Sequence, residues 1–496
     1  MPGIRGLPRF WLLKSGTWLS LVCANTPKTV YIYHMKKLLS VAAFSLAALA
    51  AAAQSDDSIF IRRLADEVLT HSTAYENLRV LTKQVGGRLA GSPAMVKAEA
   101  WGLKAMQAAG PDKAWLQECM VPHWVRGGRD LLLAERLVSS TGKLNKWSTR
   151  YLDVLALGNS VGTNGALRAP IVEVRNFAEL EAKKDSLKGK IVFYNYKFNP
   201  TFVKTFQSYG DAVVYRGQGP SRAARYGAAG VIVRSMSHST DNNPHTGSTN
   251  YNDSLPKIPA VALGLRDADW LDSTMRTTVV YATMTTGGHF LPDTIGHNVI
   301  GELRGSQFPN QYITIGGHLD SWDPAEGAHD DGAGVVQTME VLRALRALGY
   351  KPRHSIRFVL FANEENGTRG GRKYAEEAKA KGEQHILALE SDEGGFTPRG
   401  FGFTGLEAQY QKMLAWKDLL APYGTGEIIR GGGGSDISPL AKELNTPLCS
   451  FIPDSQRYFD YHHARNDIFE NVNKRELELG ALNIAALIYL VDKYGL

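Results

Sequence analysis

The chain has 496 residues, 44% of them apolar and 21% charged, an ordinary globular composition with room for two domains and large cores. Its formal charge of +7 sits at one end: residues 1–53 hold six basic residues and no acid, leaving 50 basic against 49 acidic side chains in the rest. That balance excludes a nucleic-acid binder or an anionic-membrane binder built on bulk charge.

In chain order, the first feature is an export signal. Met35-Lys36-Lys37 is a basic start, residues 38–49 an apolar core, and Ala51-Ala52-Ala53 a small-residue cleavage site before Gln54, the three parts of a secretory leader. Met35 is read as the true start, because residues 1–34 fit neither leader nor domain. The apolar core is too short for a confident membrane span, and no Cys follows it for a lipid anchor. An exported chain, periplasmic or secreted, without stable membrane insertion is expected; an uncleaved anchor helix is the alternative.

Residues 58–85 read as a helix, with Ile59, Leu64, Val68, Leu78 and Leu81 at roughly helical spacing, and residues 94–109 as a second. From about Arg126 to Phe290 the chain turns strand-rich, with Gly and Pro breaks. Residues 187–194 read as a turn feeding a buried strand, and 223–233 as a small-residue helix feeding another. This stretch, 126–292, is expected to be an inserted β-rich domain or an elaborated part of a single one. After Asn298, strands at 312–315, 356–361, 386–389 and 448–452 alternate with helices at 335–348, 370–380 and 407–420, and 475–493 closes the chain. That rhythm predicts an α/β fold, a mostly parallel mixed sheet flanked by helices, in a domain made of residues 54–125 and 293–496.

The chemistry-bearing residues sit at the ends of these strands. His318, Asp320 and Asp330 follow the first strand, Glu364-Glu365 the second, Asp392 the third, and His463 comes after the last. Each has a plain reading. A lone His is usually a satisfied structural residue, paired acids are usually a solvated face, and one of Asp330-Asp331 could cap the helix that follows. Together they lie at the carboxyl edge of an open sheet, where ligands bind. Imidazole and carboxylate donors suit zinc, and a shared carboxylate can hold two ions. An extra Glu beside a ligand Glu supplies the base that metal-assisted hydrolysis needs.

The motifs Gly317-His318-Leu319-Asp320-Ser321-Trp322-Asp323, Asp330-Asp331-Gly332, Glu364-Glu365, Glu390-Ser391-Asp392 and Tyr461-His462-His463 resemble the M28 family of dizinc peptidases, and within it the carboxypeptidase Q subfamily. Gly87-Arg88-Leu89-Ala90-Gly91-Ser92, Pro122-His123-Trp124, Pro244-His245-Thr246-Gly247 and Pro256-Lys257-Ile258-Pro259 look like the same subfamily. The resemblance implies two Zn2+ per chain. His318 and Asp392 would hold one, Glu365 and His463 the other, and Asp330 would bridge them. Glu364 would be the general base, and Asp320 would support the site from behind the metal ligands. His462 rivals His463, but His463 alone has the family spacing, to Asp467. The inserted stretch resembles a protease-associated (PA-type) domain, and the Gly431–Gly434 run with Ser435 and Asp436 a loop bordering the active site. His329, Asn363 and Glu393 depart from the subfamily pattern beside the metal positions.

The implied activity is a zinc exopeptidase acting on short peptides, dipeptides with a free C-terminal carboxylate above all. An M28 aminopeptidase is the runner-up. A glutaminyl-cyclase-like acyltransferase and a non-catalytic receptor-like relative come behind, since all five ligand positions and the base are present. No Gly-x-Ser-x-Gly elbow supports a serine hydrolase. The Gly run lacks the Lys-Ser/Thr of a P-loop. Cys119 and Cys449, the two cysteines beyond the leader, read as ordinary buried thiols. The substrate side-chain preference is not legible, and the oligomeric state stays open between monomer and homodimer.

Overall fold

Four neighbouring strands of the larger sheet run parallel and end on the same edge, and this arrangement gathers the residues singled out above. In spatial order the eight strands are Lys113–Val125, His289–Leu303, His354–Phe361, Phe308–His318, Gln384–Glu390, Leu448–Pro453, Pro398–Thr404 and Glu427–Arg430. The third to sixth are mutually parallel. Antiparallel pairing adds the first two on one side and Pro398–Thr404 on the other. The computed structural model describes residues 56–140 and 143–496; the leader, the start at Met35 and the cleavage site at Gln54 lie outside them.

The parallel strands are buried on both faces, as a sheet covered by helices requires. All eight residues of His354–Phe361 are buried. Phe358, Leu360, Ile313 and Ile315 face one core with the helices Ala333–Ala347 and Lys474–Tyr494, while Val359 and Phe361 face another with Arg369–Ala380 and Ser438–Leu444. This is the period-2 alternation of a strand laid between two helical layers. The helix expected over 58–85 is interrupted at Ser72-Thr73. There the Ser72 hydroxyl accepts the Ala74 N–H at 3.1 Å and Glu340 accepts the Thr73 N–H at 3.1 Å, side-chain bonds that compete with helix continuation. The element resumes at Ala74–Val80.

A second eight-stranded mixed sheet takes its strands from residues 131–285, in the order Lys143–Leu152, Leu131–Ser140, Val280–Thr285, Leu167–Val174, Ile191–Tyr194, Gly230–Arg234, Ala260–Leu263 and Val154–Ala156. It has its own cores. One lies under the helix Leu265–Met275, the other under Thr205–Gly217 and Gly219–Ala224. Residues 57–496 nonetheless pack as one compact unit. Phe198, Ala212 and Met236 join Phe396, Tyr458 and Phe459 in an aromatic-rich contact between the second sheet and the metal-motif edge. Cys119 and Cys449 are buried free thiols. Among the described residues no helix is long and apolar enough to cross a membrane.

Candidate active site

His318 is the last residue of its strand, Glu364-Glu365 follow the end of the next by a few residues, and Asp392 follows the third by two. His463 arrives from the loop beyond Leu448–Pro453. Asp330 joins them from the turn before Ala333–Ala347. One of its oxygens lies 3.2 Å from His318 Nε2 and the other 3.2 Å from His463 Nε2. Asp392 Oδ1 is also 3.2 Å from His318 Nε2, and Glu365 Oε2 is 3.1 Å from His463 Nε2. The five side chains therefore form two His–carboxylate pairs joined through one Asp.

Their electrostatics reflect an excess of buried negative charge. Burial lowers His318, but Asp392, Asp320 and Asp330 overcome it and hold the imidazole well above its ordinary value. Burial likewise opposes protonation of His463, yet Glu365 and Asp330 raise it to about 10. Burial and the Asp330 charge push Glu365 up to about 8. Among the described residues Glu365 Oε1 has no hydrogen-bond partner, and Asp330 Oδ2 has none beyond its 3.2 Å ion-pair approach to His463 Nε2, a state that further positive charge would relieve. They border a cavity of about 10 Å3 shared with His463 and Asp467, about the space of one water-sized sphere. Ligand atoms of His318, Asp330 and Asp392 all lie within 4.8 Å of one another, as do those of Asp330, His462 and His463. The donor types, their spacing and these two oxygens fit a pair of divalent cations.

Glu364 stands outside both His pairs. Burial pushes its carboxyl up to about 7, opposed by the His318 charge and reinforced by that of Asp392. A carboxyl near neutrality can both accept and return a proton. Asp320 does more than face an imidazole, its Oδ1 3.7 Å from His318 Nδ1. Its backbone carbonyl lies 3.0 Å from His318 Nδ1, while its carboxylate accepts the N–H groups of Glu364 and Glu365 at 3.0 and 3.3 Å. One residue thus orients a histidine and the Glu364-Glu365 turn.

The residues that depart from the subfamily pattern have local explanations. His329 stacks on Phe396 at 4.2 Å and on Tyr461 at 5.3 Å. Its Nε2 lies 3.2 Å from the Asn471 carbonyl and its Nδ1 accepts the Gly395 N–H at 3.2 Å. Burial lowers it to about 4, so it is a neutral packing residue. Asn363 adopts φ +65°, where Asn is better tolerated than most residues. Glu393, the residue after Asp392, and Lys204 line a pocket of about 500 Å3 with Phe206, Ile452 and the Gly431–Gly433 run. The Gly run allows close approach: a Cβ at Gly434 would lie 2.2 Å from the Glu390 carboxyl.

Four residues support the site from outside the two pairs, and of these the sequence suggested a role only for Asp331, as one of two candidate helix caps. Arg88 is fully buried and donates to the carbonyls of Leu319, Glu326 and Gly327, pinning the loop between His318 and Asp330. Asp467 accepts the N–H groups of His329 and Asp330 at 2.7 and 3.1 Å. Asp331 accepts the His318 N–H at 3.0 Å and the Gly334 N–H at 2.8 Å, so it caps the helix while bracing the strand end. Glu390 accepts the N–H groups of Asp436 and Ile437. The Arg88 motif, the His463-to-Asp467 spacing and the Glu390-Ser391-Asp392 motif were the available signals, but none of them says what Arg88, Asp467 or Glu390 would hold.

Comparison with known proteins follows the same lines. The model of peptidase family M28 matches residues 298–488. Carboxypeptidase Q of Mus musculus is 31% identical over 420 residues, covering 84% of this chain and 85% of that protein. Carboxypeptidase Q of Xenopus laevis is 34% identical over 396 residues, 79% of this chain and 80% of that protein. Among solved structures, a peptidase M28 precursor from Shewanella amazonensis SB2B superimposes with a TM-score of 0.82 at 31% identity, covering 88% of this chain and 97% of that one. A zinc aminopeptidase of Bacillus subtilis shares the fold with a TM-score of 0.58 at 20% identity, covering 84% and 93%.

Proposed function

The chain belongs to peptidase family M28 and is a metallopeptidase, and from that premise we propose that it is an exported zinc exopeptidase that cleaves short peptides, dipeptides with a free C-terminal carboxylate above all. The observation that carries the reading is Asp330, whose two oxygens reach one histidine of each His–carboxylate pair at 3.2 Å. His318 and Asp392 would hold one zinc, Glu365 and His463 the second, with Asp330 shared. Bound there, the metals would supply an acidified water and an electrophile for the peptide carbonyl.

The chain's own residues do the rest. Glu364, near neutrality and fixed by the Asp320 carboxylate through its backbone N–H, takes a proton from the attacking water and returns it to the leaving amine. No covalent intermediate is required. Asp320, Asp467 and Arg88 hold the strand-end loops so that the donors meet at fixed distances, the preorganisation that catalysis rewards.

The preference for short substrates rests on the pocket of about 500 Å3 and on the second sheet, read as a PA-type insert over 126–292, which lends Lys204 and Phe206 to that pocket. Lys204 is a cation there with no acidic partner among the described residues, whereas Arg399 is paired with Asp454. It suits a terminal carboxylate. Glu393, on the same pocket, favours the second reading, an aminopeptidase that seats an N-terminal ammonium. Hydrolysis of a dipeptide panel with free, amidated and acetylated termini by zinc-loaded enzyme separates them. Loss on amidation supports the carboxylate reading. Loss on acetylation alone supports the aminopeptidase.

A further inference from the structure

The two His–carboxylate pairs differ in what holds them. His318 and Asp392 are held by their own sheet: His318 Nδ1 is directed to the Asp320 carbonyl at 3.0 Å, and the Ser391 N–H, next to Asp392, donates to the Gly316 carbonyl at 3.0 Å. Glu365 and His463 are instead held by two residues of the second sheet's unit, Thr246 and Ser248. The Thr246 N–H donates to the His463 carbonyl at 2.9 Å. The Thr246 carbonyl lies 3.3 Å from His463 Nδ1. The Ser248 hydroxyl donates to the Glu365 carbonyl at 2.7 Å. Asn159, from the same unit, accepts from Asn366 at 3.3 Å, just past Glu365.

This grip coincides with backbone strain. His463 sits at φ +61°, a conformation that is strained in a non-glycine residue and persists only where the surroundings enforce it. With Nε2 turned to Asp330 and Glu365, Nδ1 is the nitrogen left to donate, and the Thr246 carbonyl is its acceptor. Arg216, buried on the helix Thr205–Gly217, closes the same corner. Its Nη1 lies 3.4 Å from the Thr246 carbonyl and 3.3 Å from His463 Nδ1, and its Nη2 donates to the Tyr209 hydroxyl at 2.8 Å. Between them sits Gly247 at φ +122°, where a Cβ would fall 2.4 Å from Arg216 Nη1 and 2.5 Å from His463 Nδ1. The corner has no room for a side chain.

We infer that Arg216, Thr246, Gly247 and Ser248 are positioning residues for one metal position only, the Glu365–His463 one, so that its occupancy depends on the inserted unit while that of the His318–Asp392 position does not. The inference rests on the two-zinc reading above and adds to it that the two positions are unequal by construction. Groups that orient a metal ligand from behind are worth about 10–100-fold in metal affinity.

The test is stepwise zinc affinity of the full exported chain, measured by competition with a chromophoric zinc chelator, for wild type, Ser248→Ala, Arg216→Met and Gly247→Ala. Two zinc ions in wild type, with one weakened about 10–100-fold in the variants and the other unchanged, is the expected result. In a His463→Ala background, Ser248→Ala should leave the remaining zinc unaffected, which identifies the position. Equal weakening of both ions, or no change in both Ser248→Ala and Arg216→Met, overturns the inference while leaving the two-zinc reading intact. A wild-type chain that binds fewer than two zinc ions overturns both. Gly247→Ala risks misfolding, and circular dichroism checks this; the other two variants, which only remove atoms or charge, decide the question without it.

Discussion

The adjacent histidines 462 and 463 make the most discriminating pair of substitutions. His462 is buried and the His463 side chain is 8% exposed, their rings stack at 3.5 Å, and both approach Asp330 Oδ2. His463 Nε2 reaches Asp330 at 3.2 Å and Glu365 at 3.1 Å, whereas His462 Nε2 stops 3.8 Å from Asp330. Burial and the neighbouring His463 hold His462 well below its ordinary value, and its ring is packed by Tyr458, Phe459 and Tyr209 at 5.1–5.2 Å. It is built as a neutral packing ring. His462→Ala should therefore cost about 2–4 kcal/mol in stability, in the range for a buried large-to-small change, with zinc content retained. His463→Ala should weaken one zinc by at least about 100-fold, the upper end of what losing a supporting group costs, and take activity with it. Zinc content after dialysis and the thermal midpoint, measured together, read both effects. If His462→Ala strips zinc while His463→Ala keeps it, the assignment of His463 is wrong.

Three further outcomes follow from separate parts of the structure. The Glu383 side chain, 7% exposed, lies beside Arg357, with Nη1 and Nη2 donating at 2.6 and 2.9 Å; burial raises its carboxyl, but His385 and Arg357 lower it from 4.5 to about 2. A fall of that size corresponds to about 3 kcal/mol at roughly 1.4 kcal/mol per tenfold. Because the folded pKa is depressed, the contribution is full above 4.5 and is lost as pH falls toward 2. Glu383→Gln should destabilise the protein at neutral pH, by denaturant titration, with a gap that closes on acidification; a gap independent of pH contradicts the ion pair. Amidating the C-terminus of a good dipeptide substrate should cut kcat/KM sharply, and Lys204→Met should shrink that discrimination; equal cleavage of acid and amide by the wild type contradicts the carboxylate reading. N-terminal sequencing of exported protein should find a chain beginning near Gln54, and one that retains residues 35–53 would mean a tethered enzyme.

That these His, Asp and Glu residues meet at one edge was legible because chemistry and topology coincide at strand ends. A parallel sheet puts the residues after each strand on one edge, and His, Asp and Glu are informative there. The fold class was legible for a related reason: buried parallel strands read as unbroken apolar runs. The strand Lys113–Val125 was not, since it pairs only through antiparallel contacts at the sheet margin, contains Pro122, and has alternating burial. Pro398–Thr404 and Glu427–Arg430 were hidden by glycine and by short length. The supporting contacts were illegible for a different reason. Arg88 meets its carbonyl partners across 231 residues and more, and Thr246 meets His463 across 217; neither pairing leaves a periodic trace. The role of Asp320 was half legible: its proximity to His318 was expected, but not that its carboxylate would turn to the Glu364–Glu365 backbone.

The central claim is that Glu364 moves the proton in a metal-dependent peptide hydrolysis and does not hold metal. Glu364→Gln tests it most directly, because the amide is nearly isosteric yet cannot act as a base at neutral pH. Dipeptide turnover and zinc content are measured on the same preparation. The account predicts a loss of at least about 10²-fold in kcat, the lower end of what a general base contributes, with zinc content equal to wild type. Substantial residual turnover with full zinc, or loss of zinc with the substitution, would contradict it.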